Sequence, residues 1–115
     1  MYELEYQRAR GARDPRPNAE RIKRVMELPK TNDTSMARRD LEYRVYMMVL
    51  CAGNQISLHA PLETQFLYAH QRISDYHHGR LMTSPEEVTR VLVLCRAAML
   101  VEDALDALEK KGGTR

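Results

Sequence analysis

A chain of 115 residues, 43% hydrophobic and 30% charged, has room for one hydrophobic core and not for two. Seven Met, one Phe and no Trp make that core aliphatic and sulfur-rich, and the longest apolar run, residues 45–53, is less than half a membrane span, so no transmembrane helix is expected. The net charge of +2 hides an uneven distribution: Arg8, Arg10, Arg13, Arg16, Arg21, Lys23 and Arg24 meet only Asp14 and Glu20 in one segment, and the rest of the chain is slightly acidic.

Residues 1–17 have no single period. Tyr2-Glu3-Leu4-Glu5-Tyr6 alternates as a strand does, while Tyr2, Tyr6 and Ala9 share one helical face. Gly11, Pro15 and Pro17 interrupt either pattern, so residues 11–17 read as an extended link and 1–17 as a flexible or partly ordered basic arm. The acids of the first five residues and the lack of a continuous apolar stretch argue against a secretory signal and for a cytoplasmic location. A short helix is expected over 18–28, capped by Asn18, with Ile22, Val25 and Met26 facing inward and Pro29 helping to end it.

The polar tract 30–34 reads as a loop, with Thr34 or Ser35 capping a helix over 36–52 that stops at Gly53-Asn54. This helix is apolar on two faces: Leu41, Val45, Met48 and Ala52 form one stripe, and Tyr43, Met47 and Leu50 another on the far side. Arg38 with Glu42, and Asp40 with Arg44, stand at ion-pair spacing along its exposed start. After a connector over 55–60, Pro61 suits the first turn of a helix ending near His78, with Gly79 as its C-terminal cap. Leu62, Phe66, Ala69, Ile73 and Tyr76 give it a single apolar face.

The last helix has the clearest end signals. Ser84 caps, Pro85 takes the first position, Glu87 completes a capping box, and Lys110-Lys111-Gly112 close it, giving a helix over 85–111 and a disordered tail over 112–115. Val91, Leu94, Ala98, Val101, Leu105 and Leu108 recur at alternating steps of three and four, a heptad seam, while Val88, Leu92, Cys95 and Met99 line an adjoining face. A helix with two apolar faces needs two neighbours, inside the chain or in another subunit. The seam is the expected association face of a homodimer, with packing inside one chain as the alternative. The whole reads as an all-α protein: a compact bundle of three long helices and one short N-terminal helix, with residues 18–111 as a single domain.

No constellation for catalysis stands out. His59, His70, His77 and His78 lack the three- or four-residue spacing with which helical histidines share a metal, and Cys51 and Cys95 lie in apolar runs as expected core thiols. No glycine cluster precedes a helix to cradle phosphate, and Glu102, Asp103 and Asp106 read as a solvated acidic face. Neither an enzyme nor a metal or cofactor site is expected. The outline is similar in size and shape to many small bacterial and phage adaptors, inhibitors and regulators, a likeness that assigns no function. The leading expectation is a helical interaction module, inhibitor, adaptor or chaperone-like, with a protein partner. The alternative is a dimeric regulator whose arginine arm holds the phosphates of nucleic acid, and the seven basic residues are candidate contacts either for phosphate or for an acidic protein partner.

Overall fold

The computed structural model describes residues 14–53, 56–77 and 85–112. They form four helices, α1 (Arg16–Met26), α2 (Asn32–Ala52), α3 (Leu62–His77) and α4 (Pro85–Gly112), and the all-α architecture stands. The expectations for Tyr2 to Tyr6, for Arg8, Arg10 and Arg13, for His78 and Gly79, for the Ser84 cap and for residues 113–115 lie outside the described residues.

α1 begins two residues before the expected start. Pro17 lies in its first turn, where a missing N–H breaks no helical hydrogen bond, and the Asp14 carboxylate accepts a 2.9 Å bond from the Arg16 backbone N–H. Residues 16 and 17 therefore belong to the helix and not to an extended link. Asn18 is inside it: its amide donates to Glu102 of α4 at 2.8 Å, and its carbonyl oxygen accepts from Arg21 at 3.0 Å. Ala19, Ile22 and Val25 turn inward, with Met26 partly buried.

α2 starts four residues earlier than the sequence pattern suggests. Thr31 and Thr34 form a reciprocal capping box, in which Thr34 N–H donates to Thr31 Oγ1 at 3.2 Å and Thr31 N–H donates to Thr34 Oγ1 at 3.1 Å. Gly53 ends the helix at φ +70°, a left-handed conformation that glycine adopts without steric cost. Arg38 does not pair on the surface with Glu42. It is buried and caps the other helix instead, donating from Nη1 to the Met26 carbonyl at 2.8 Å and from Nη2 to the Leu28 carbonyl, so the orphan carbonyls at the end of α1 find donors.

In α3, Gln65 is buried and donates to the carbonyls of Ala60 (2.9 Å) and Leu58 (3.2 Å), fixing the connector against the helix start. Phe66, Ala69 and Ile73 supply its buried stripe. α2 and α4 form the main pair and run antiparallel: Asp40 and Leu100 meet at one end of their shared groove, Cys51 and Pro85 lie together toward the other, and Arg44 Nη1 donates to the Leu100 carbonyl at 2.6 Å. α3 packs on α2, and α1 packs on α3 and α4. α1 runs parallel to α4, because Asn18 meets Glu102 and Arg21 meets Asp106 and Glu109.

The result is a slab two helices deep, with α2 and α4 in one layer and α1 and α3 in the other. The core lies between the layers. It is lined by Ile22, Leu41, Val45, Met48, Phe66, Ile73, Val91, Leu94, Val101, Leu105 and Leu108 among others, each of the larger side chains contributing about 1.5–3 kcal/mol by leaving water.

Candidate functional site

Five of the six heptad positions on α4, Val91, Leu94, Val101, Leu105 and Leu108, are fully buried, and Ala98 is half-buried. They face α2, α1 and α3 within one chain. The expected association face is thus the intramolecular core, because three helices of the same chain converge on it. The second stripe of α4 is split between environments: Cys95 is buried, Leu92 half-buried and Met99 exposed.

The second apolar stripe of α2 has no such cover. Tyr43 is 61% exposed, Met47 37% and Leu50 54%, and Met36, seven residues before Tyr43, extends the same line. On α4 the matching positions are Val93 and Leu100, 48% and 44% exposed and seven residues apart, with Ala97 between them. Side chains at these spacings share one helical face. Since α1 and α3 both pack on the opposite side of the α2–α4 pair, this outer face meets no helix among the described residues.

Between the two helices the outer face sinks into a trough with two lobes. The first, of about 380 Å³, is floored by Tyr43, Met47, Val93, Ala97 and Leu100 and edged by Asp40, Arg44 and Arg96. The second, of about 520 Å³, shares Cys51 and Val93 with the first and continues to Pro85, Glu86, Thr89 and Arg90. Cys51 is thereby placed differently from Cys95. It is half-buried and lines both lobes, where the sequence pattern leads one to expect a core thiol; neither cysteine is in a disulfide. At the edge, Asp40 and Arg44 neutralise one another at 3.1 Å, as their spacing indicates. Arg90 and Arg96 make no hydrogen bond or ion pair with any described residue.

The basic segment divides. Arg16 pairs with Asp14, whose carboxyl is held well below the usual carboxylate range by the side-chain and backbone hydrogen bonds from Arg16. Arg21, a candidate contact for phosphate or an acidic partner, is taken up by the fold: it donates to Glu109 from Nε (3.0 Å) and Nη2 (2.7 Å) and also to Asp106, and so clamps α1 to α4. Its hydrogen bonds lower the pKa of Glu109. Lys23 and Arg24 remain exposed at the end of α1, where cations suit the helix dipole. The acids of α4 are correspondingly more than a solvated face, since Glu102 and Asp106 bind α1 while Asp103 stays exposed.

Of the four histidines, the side chains of His77 and His78 lie outside the described residues. His59 is exposed in the connector, and His70 is buried against Phe66 with ring centroids 5.7 Å apart. Among the described residues no group of three or more His, Cys, Asp or Glu is placed to hold a metal ion, and no helix is long and apolar enough to cross a membrane. No protein-family model matches the chain, and no curated protein or solved structure is significantly similar to it.

Proposed function

We propose that the chain is a helical protein-interaction module, a binding protein rather than an enzyme, that acts by placing the outer face of α2 and α4 against another macromolecule. The observation that carries this reading is the apolar trough that no described helix covers. Tyr43, Met47, Val93 and Leu100 line one apolar trough between two packed helices, and a patch of this kind, rimmed by charge, is the usual mark of a macromolecular contact. A tyrosine and methionines suit such a surface, the first as a rigid anchor and the second as an adaptable filler. An inhibitor or adaptor needs nothing more than such a face.

Among the described residues nothing comparable favours the nucleic-acid reading, because Arg21 is committed to Glu109 and Asp106, and Arg16 to Asp14. The test is capture from native lysate, with and without nuclease, by the immobilised wild type, Met47→Glu and Val93→Glu proteins, with folding of each checked by circular dichroism. A partner held by the wild type and released by both folded variants supports the reading. Partners held equally by all three, or a partner lost on nuclease treatment, would sink it.

A further inference from the structure

We infer that the occupant of the trough is an acidic amphipathic helix from a partner protein, a proposal that rests on the reading above. The shape argues for a helix. The trough follows the groove between two antiparallel helices, and its α2 wall, from Asp40 to Cys51, is about 17 Å long at 1.5 Å per residue, or three helical turns. A docked helix would set apolar side chains at i, i+3 or i+4 and i+7 onto Met47, Val93 and Leu100. An extended strand would find no sheet edge here, since the walls are helices whose backbone groups are already paired.

Charge selects the occupant. Of the ionic groups along the trough, Asp40 and Arg44 satisfy each other, and Glu86 has an interaction of its own. Arg90 and Arg96 are left, one on each lobe and six residues, about 9 Å, apart along α4. Two guanidiniums beside an apolar floor call for carboxylates about one heptad apart on the flank of the incoming helix. A second copy of this chain lacks that complement: face to face it brings the same two arginines, and its trough carboxylates, Asp40 and Glu86, are both already engaged. The chain's own N-terminal segment fits no better by net charge, since Arg8, Arg10 and Arg13 outnumber Glu3 and Glu5 and carry the sign of the trough edge.

The test uses two fluorescein-labelled synthetic amphipathic helices with identical leucine faces, one flanked by Glu and the other by Lys, titrated against the full chain by anisotropy at low and high salt. The Glu peptide should bind at least tenfold more tightly than the Lys peptide at low salt. The preference should vanish at 0.5 M salt, a concentration at which exposed charges are screened within about 5 Å. Arg90→Glu with Arg96→Glu should reverse the preference, while Val93→Glu should abolish binding of both peptides. Equal affinities unchanged by the charge reversal, or no binding of either peptide, would overturn the proposal. So would a wild-type dimer in light scattering that Val93→Glu dissociates, since a second copy would then fill the trough. If lysate capture depends on Val93 but not on the two arginines, the inference fails and the interaction reading survives; if it depends on neither, both fail.

Discussion

The inner and outer faces of the α2–α4 pair are made of similar residues and meet opposite fates. On the inner face Leu41, Val45 and Met48 of α2 and Leu94, Val101 and Leu105 of α4 are sealed by α1 and α3. On the outer face Tyr43, Met47 and Leu50 of α2 and Val93 and Leu100 of α4 have the same helical spacing and stay in contact with water. The difference comes from topology. Each apolar stripe records that a neighbour is wanted, whereas the connections decide where neighbours go, and here α1 and α3 both return to the same side of the slab.

Substitutions on the two faces should therefore separate sharply. The largest effect is expected from Leu105→Ala, which empties a fully buried site between layers and should cost about 2–5 kcal/mol in urea unfolding, against a total stability of about 5–15 kcal/mol for a domain of this kind. Arg38→Ala comes next. It leaves the partly buried carbonyls of Met26 and Leu28 without the Arg38 donors, and should lower stability by about 1.5–3 kcal/mol in the same measurement. Both belong to the sealed side.

The clamp between layers is weaker and titratable. Glu109, part-exposed and bound by Arg21, has a folded-state pKa below its ordinary value of 4.5, so its contribution is complete above that pH and is lost as pH falls through the lowered folded value. We expect the melting temperature to hold between pH 7 and 5 and to fall below about pH 4, with a smaller fall in Glu109→Gln, which at neutral pH should cost no more than about 1 kcal/mol. The smallest effect belongs to the outer face: Leu50→Ser should change stability by less than about 0.5 kcal/mol, since its side chain is already half in water.

Much of this fold is legible in the sequence wherever local period decides it. The single stripe of α3 and the seam of α4 announce their helices, and Gly53 announces the end of α2. What escaped was set by less common local chemistry or by distance along the chain. Pro15 and Pro17 look like breakers, yet a proline in the first turn costs no hydrogen bond, so α1 starts at Arg16. Thr34 takes the capping-box position more often held by Glu or Gln, which hid the start of α2.

Arg38 stands four residues from Glu42 and so resembles a surface pair, but the carbonyls it serves belong to another helix. Arg21 and Glu109 are 88 residues apart, and no spacing rule reaches that far. The candidate site was half legible. Its second stripe on α2 is plain in the spacing of Tyr43, Met47 and Leu50, while the fact that this stripe and not the α4 seam is left open follows from how four helices stack. Cys51 is only half-buried for the same reason: it packs against the core yet also lines the trough, because an apolar run marks a helix face without saying which layer covers it.

The most direct test of the account compares one substitution on the two faces of one helix. Val93 and Val101 both lie on α4, eight residues apart, and Glu at either has the same helix propensity and the same charge; only their surroundings differ, with Val93 half exposed and Val101 fully buried. Thermal unfolding followed by circular dichroism should show Val93→Glu melting within a few degrees of the wild type, because a shift of 1 kcal/mol moves the midpoint by only about 4–8 °C in a domain of this size. Val101→Glu should show no cooperative transition, because an unpaired carboxylate cannot be accommodated between the layers. Equal destabilisation by the two substitutions, or a Val101→Glu protein that melts like the wild type, would contradict it.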